Sequence, residues 1–148
     1  SATMGSHLYV CGGFNGSKAI DSAERFSVGT GTWEQLPPML QRRSGAAAAA
    51  QVRASIIVCG GVCASEVLSS AEAYDPAAQT WTALPEMCAR RTEALAASVA
   101  GRLFVCGGRA TSGPVYSTEC YDLGTSCWQQ LQPMSQERSS HTGVLAAL

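Results

Sequence analysis

Histidine is scarce: the 148 residues contain two, His7 and His141, at opposite ends of the chain. Neither has an acid or a nucleophile at the spacing of a catalytic set, so no catalytic residue is expected and the reading is of a protein that is not an enzyme. Charge is scarce too. Asp, Glu, Lys and Arg make up 14% of the chain, the formal net charge is −1, and the ten basic residues are scattered or paired, never massed. That pattern argues against nucleic acid or an anionic membrane surface as partner. No apolar run approaches the roughly 20 residues that span a bilayer, and no secretory signal pattern opens the sequence. The seven cysteines include no CxxC pair and no Cys/His cluster, so neither zinc nor any other metal or cofactor is expected. Their odd number fits a reducing compartment, which makes a cytosolic or nuclear protein the expectation. Cys120 and Cys127 fall on one predicted hairpin, and free thiols are favoured there over a disulfide.

What the sequence does have is self-similarity. Leu8-Tyr9-Val10-Cys11-Gly12-Gly13 recurs as Ile56-Ile57-Val58-Cys59-Gly60-Gly61 and as Leu103-Phe104-Val105-Cys106-Gly107-Gly108, 48 and then 47 residues apart. The same two offsets relate Glu24, Glu72 and Glu119; Trp33, Trp81 and Trp128; Leu36, Leu84 and Leu131; Met39, Met87 and Met134; and Arg43, Arg91 and Arg138. A fixed period of this length marks an array of like units, each too small to bury its apolar face alone. The units are read as 1–42, 43–90 and 91–137 of one domain spanning 1–148, followed by a terminal strand over 138–148.

Each unit carries four strand signals. In the second, Ser44–Val52 is strand A, Ser55–Gly61 strand B, Ser70–Tyr74 strand C and Thr80–Leu84 strand D, with Asp75-Pro76 opening a turn and Pro85 ending the last strand. The alanine run Ala46–Ala50 has helical propensity. Its counterpart in the terminal stretch, His141–Leu145, contains Gly143 and is not helix-like, so a strand of small residues where several sheets converge is the better reading. Ser1–Met4 aligns with Ala96–Val99, so the first unit is expected to lack a strand A and 138–148 to supply an extra one, making twelve strands in all.

The recurring residues ask for structural roles, since catalytic groups usually occur once per protein. A Gly-Gly pair permits backbone angles closed to other residues and close approach of a neighbour. Trp33, Trp81 and Trp128 are the large groups expected to cover that space. The repeated Glu and Arg are expected to meet between neighbouring sheets, where each satisfies the other.

Taken together, apolar strand–Gly-Gly, Ser-Ala-Glu-x-[Phe/Tyr] at Ser22–Phe26 and Ser70–Tyr74, Trp, Leu-Pro-x-Met and Arg-Arg resemble the kelch repeat over essentially all 148 residues. The third unit departs from it with Ser117-Thr118-Glu119 and Glu137-Arg138. The resemblance implies an all-β fold: a portion of a kelch-type β-propeller with three four-stranded antiparallel blades and strand A lining the channel. Three units are fewer than the family's usual five to seven, which leaves a piece of a larger kelch domain or a homodimer completing a six-blade ring.

It also implies a non-catalytic module that binds a protein or peptide partner through the rim loops joining B to C and D to A. On those loops Phe14, Asn15, Arg109 and Tyr116 are the candidate anchors, with Glu93 and Ser140 lining the mouth. Arg42 and Arg90 either add positive charge for an acidic peptide or are solvated surface. The repeats look most like those of BTB–kelch adaptors, which implies substrate recognition for a cullin-type ubiquitin ligase. The alternatives are an actin- or cytoskeleton-binding kelch protein and, less favoured, an enzyme on the same scaffold.

Overall fold

The computed structural model describes residues 1–52 and 54–143. The first sheet takes β1 (Ala2–Met4), β2 (His7–Phe14), β3 (Ala19–Ser27) and β4 (Thr32–Leu36) in the order β1-β2-β3-β4. The second takes β5 (Ala47–Val52), β6 (Ser55–Cys59), β9 (Ala71–Asp75) and β10 (Thr80–Leu84), with the short pair β7 (Val62–Cys63) and β8 (Glu66–Val67) between β6 and β9. The third takes β11 (Leu95–Val99), β12 (Arg102–Cys106), β15 (Thr118–Asp122) and β16 (Cys127–Leu131), with β13 (Arg109–Ala110) and β14 (Gly113–Pro114) paired likewise. All pairings are antiparallel. The innermost strands β1, β5 and β11 stand beside one another, with β5 in the middle. The alanine run is therefore strand, and Ala47 is fully buried.

Local chemistry fixes the turns. Ala100-Gly101 joins β11 to β12 with both residues at positive φ, the two-residue hairpin geometry that follows strand twist. At the outer edge, Asp75 Oδ1 accepts the Ala77 and Ala78 N–H groups at 2.8 and 3.1 Å, and Asp122 Oδ1 accepts those of Gly124 and Thr125 at 2.8 and 3.3 Å. Those two bonds hold the Asp122 carboxyl below its ordinary range. Aromatic pairs then tie each third strand to its fourth. Phe26–Trp33, Tyr74–Trp81 and Tyr121–Trp128 sit at centroid separations of 5.2, 5.1 and 5.1 Å.

Four expectations need correction. The first blade does have an inner strand: β1 is only three residues long, but Gly5 at φ +56 closes its hairpin, and Ala2, Thr3 and Met4 face Tyr9, Leu8 and His7. Of the terminal strand expected over 138–148, residues 138–143 form bend and irregular backbone, and 144–148 lie outside the described residues. The strands number sixteen among the described residues rather than twelve, because the two later B–C connections pair with themselves; Ala64 and Ser65 both adopt positive φ to turn β7 into β8. Finally, the tryptophans do not cover the diglycines. A Cβ on Gly12, Gly60 or Gly107 would meet the carbonyl oxygen of Arg43, Arg91 or Arg138 at 2.3–2.6 Å, with Met39, Met87, or His141 and Met134 together, next. A peptide carbonyl needs the empty Cβ position, whereas an indole ring is spent on its own strand partner and on the preceding blade.

The core lies between blades. One cluster joins Tyr9, Ala23, Leu36 and Met39 of the first blade to Ile56, Val58, Tyr74 and Trp81 of the second. The other joins Ile57, Cys59, Ala71 and Met87 of the second to Leu103, Val105 and Tyr121 of the third. Alternate residues of β6 thus serve opposite interfaces, as strand periodicity requires.

All seven cysteines are free; Cys120 faces Gln129 and Cys127 faces Asp122, not each other. Cys59 is fully buried, and burial pushes its thiol up from 9.0 to about 12. In the folded chain it therefore stays protonated where the unfolded chain ionises. Its contribution to stability is complete below about pH 9 and is lost as pH rises from there through about 12. Thiol labelling at pH 8 followed by mass spectrometry should modify exposed Cys127 rapidly and Cys59 only on unfolding; labelling of native Cys59 at the same rate would overturn its assignment to the core.

Candidate partner-binding site

The first and second blades each end in an arginine latch. The Arg43 backbone belongs to the first blade, accepting the Gly13 N–H at 2.7 Å and donating to Ile20 O at 3.1 Å. Its guanidinium belongs to the second, donating Nε–H to Glu72 Oε1 at 2.9 Å and Nη1–H to the carbonyls of Gly60 and Ser70, both at 2.9 Å. Arg91 repeats this one blade on. It accepts the Gly61 N–H at 2.9 Å and donates to Leu68 O, while its side chain reaches Gly107 O, Ser117 O, Ser117 Oγ and Glu119. Both ion pairs are buried, and both carboxylates also accept backbone N–H groups, from Leu40 for Glu72 and from Cys88 and Ala89 for Glu119. Burial with every charge partnered is the condition under which such a pair holds a register.

The latch brings the D–A and B–C connections to one end of the blades. Ser44 exchanges backbone hydrogen bonds with Val62 at 2.8 and 3.0 Å, and Thr92 with Arg109 at 2.7 and 2.9 Å. The inner edge of this rim is a hydrogen-bonded chain. Glu93 N–H donates to Gly45 O at 2.9 Å, Ser140 N–H donates to Glu93 O at 3.0 Å, and Ser140 Oγ–H donates to Glu93 Oε2 at 2.7 Å. All three residues have φ between +50° and +56°.

On that rim the structure separates the eight candidate residues. Phe14 and Arg42 come together in a groove of about 420 Å³ between the first and second B–C hairpins, with Ser17, Lys18, Val62, Cys63 and Ser65 around them. Phe14 is 62% exposed, a large value for a phenylalanine. Arg42 lies 3.6 Å from Asp21, both half-solvated. Asn15 stands beside this groove, but its Oδ1 is taken by Ser17 N–H, Ser17 Oγ–H and Lys18 N–H at 3.0–3.1 Å, so it shapes the loop. Arg90 lies in a smaller recess of about 190 Å³ with Gln41, Glu66 and Glu86, its Nη1 3.3 Å from Val67 O. Tyr116 lines a separate cleft of about 580 Å³ with Pro114, Leu131, Pro133 and Glu137. Arg109 is exposed at the end of its hairpin, and Glu93 and Ser140 meet each other.

Sequence reasoning missed Lys18, whose ammonium gives the Phe14 groove its second cation, and Asp21, which half-neutralises Arg42. Lys18 stands in the B–C loop and was visible as such. The Asp21–Arg42 contact has no sequence signal, because it spans two turns. Among the described residues no cluster of His, Cys, Asp and Glu is arranged to hold a metal.

Three four-stranded antiparallel blades packed face to face, latched by arginine and opening on a loop rim, define a portion of a β-propeller. The kelch motif matches residues 1–40, 42–87 and 90–135, nearly the whole sequence, and the chain belongs to the kelch-repeat family. Comparison with curated proteins gave no match. Kelch repeats generally mediate protein–protein interaction, and domains built from them are generally non-catalytic.

Proposed function

We propose that this chain is a non-catalytic protein-interaction module that takes an acidic, apolar-anchored peptide segment in the groove between its first two B–C hairpins. One observation carries the reading: Phe14, an exposed aromatic, stands in the same groove as the cations of Lys18 and Arg42, on hairpins fixed by the latch below. An aromatic anchor beside charge-assisted donors is the usual make-up of an interaction hot spot. The walls are backbone-paired, so little ordering cost falls on the protein when a partner binds. For its role in the cell we propose substrate selection for a cullin-type ubiquitin ligase, on the resemblance of the sequence to the kelch repeat.

Selection from a random-peptide display library tests it. Sequences pairing acidic residues with a bulky apolar one should be enriched. Their affinity should fall at least about tenfold in Phe14→Ala and again in Arg42→Glu. Absence of enrichment, or binding indifferent to both changes, would sink the proposal.

A further inference from the structure

Asn15 is the only asparagine among the 148 residues, and a glycine follows it. Both stand in the exposed loop that joins β2 to β3, at the tip of the first B–C hairpin. Three donors hold the Asn15 side-chain oxygen: Ser17 N–H at 3.1 Å, Ser17 Oγ–H at 3.0 Å and Lys18 N–H at 3.0 Å. Those donors draw electrons from Cγ and are placed to stabilise negative charge on Oδ1, as an oxyanion hole does. The neighbouring nucleophile is uncommitted. Gly16 N–H donates to no acceptor among the described residues, and a Cβ built on Gly16 would find nothing within 4 Å. Water reaches this exposed peptide, and no side chain of the next residue screens the Asn15 carboxamide.

We propose that Asn15-Gly16 is a deamidation site primed by its own loop, which places a new carboxylate beside the Phe14 groove. Hydroxide removes the Gly16 amide proton, and the nitrogen attacks Asn15 Cγ within the chain to close a five-membered ring. The N–Cγ bond forms, the Cγ–Nδ2 bond breaks, and Nδ2 leaves as ammonia with a proton supplied by water. Water then opens the succinimide at either carbonyl, giving aspartate or its β-linked isomer. The sum is carboxamide plus water to carboxylate plus ammonium, with nothing oxidised or reduced. The loop already suits the aspartate product. Asp75 and Asp122 accept the N–H groups two and three residues on, the same two positions that Asn15 uses. The new charge shares its loop with Lys18, which lines the groove together with Arg42. It opposes the cations that would draw an acidic peptide, so deamidation turns recognition down; that consequence rests on the function proposed above.

The test follows conversion of purified chain at 37 °C by peptide mass spectrometry, which needs no partner. Wild type should convert at Asn15, at a rate that rises steeply from about pH 6 to about pH 9 because the nitrogen must lose its proton. Gly16→Ala should slow it at least about fivefold, since a methyl group then restricts the attacking peptide. Ser17→Ala keeps the Asn-Gly pair but removes one donor to Oδ1, and should slow it about twofold. A wild-type chain that does not convert would overturn the proposal, as would a rate indifferent to pH or a Ser17→Ala chain as fast as wild type. Cys63, which lines the groove, reads the charge. In Asn15→Asp its labelling by an anionic aromatic disulfide, relative to a neutral one, should fall at least about twofold. An unchanged ratio would remove the groove from the proposal's reach and overturn it, whether or not the groove binds peptides.

Discussion

Replacing Arg91 with alanine is expected to cost about 3–5 kcal/mol of folding stability, the range for stranding one member of a buried ion pair. Glu119 would keep two backbone N–H donors but lose the cation that neutralises it at full burial. The Gly107 carbonyl would lose its arginine donor at the same time, and the Ser117 carbonyl would lose one of two, keeping the Gly107 N–H. The same substitution at Arg138, the corresponding residue of the third blade, should change stability by no more than about 0.5 kcal/mol, because that side chain is solvated. Urea unfolding of the two variants makes the comparison. A double-mutant cycle of Arg91→Ala with Glu119→Ala should show strong coupling. Equal effects at the two arginines would mean that the latch contributes nothing through its second blade.

Gly60→Ala carries the second large effect. Gly60 sits at φ +66, which costs a non-glycine residue about 1–3 kcal/mol. Its new Cβ would also lie 2.3 Å from the Arg91 carbonyl oxygen, a backbone atom that cannot swing aside. Displacing that oxygen breaks the Gly61–Arg91 hydrogen bond, adding about 1 kcal/mol. Gly31 isolates the two contributions. Its φ is +69, yet nothing lies within 4 Å of a Cβ built there, so Gly31→Ala should show the conformational cost alone. Thermal unfolding of both variants should place Gly60→Ala clearly lower; equal melting temperatures would remove the carbonyl contact from the account.

The all-β fold and the four-stranded repeat were legible because burial leaves periodic marks on side chains. Ile56 and Leu103 repeat for the same reason that Glu72 and Glu119 do: all four are buried. What stayed hidden involved the backbone. The occupant of the diglycine space is a carbonyl, and any residue has one, so the more conspicuous tryptophans drew the inference instead. The β7–β8 hairpin is turned by Ala64-Ser65, neither of them glycine although both adopt positive φ, and its own pairing together with that of Val62 to Ser44 on the D–A connection holds it there. At the rim, the loops were found but not their grouping. Phe14 and Arg42 are 28 positions apart in sequence yet share one groove, while Tyr116 and Arg109, seven apart, do not share a cleft. Asn15 looked like an anchor and its side-chain oxygen proved to be committed to its own loop.

Because each arginine is anchored through its peptide group in one sheet and discharged through its side chain in the next, the joint between units is written into a stretch of sequence rather than into any one unit. A duplicated segment therefore arrives already equipped with a plug for its successor and a socket for its predecessor. Gene-level copying could lengthen or shorten such an array without inventing a new contact. Selection would then be free to act on the hairpin tips, where a changed Phe14 or Lys18 alters what is recognised and leaves the joints untouched.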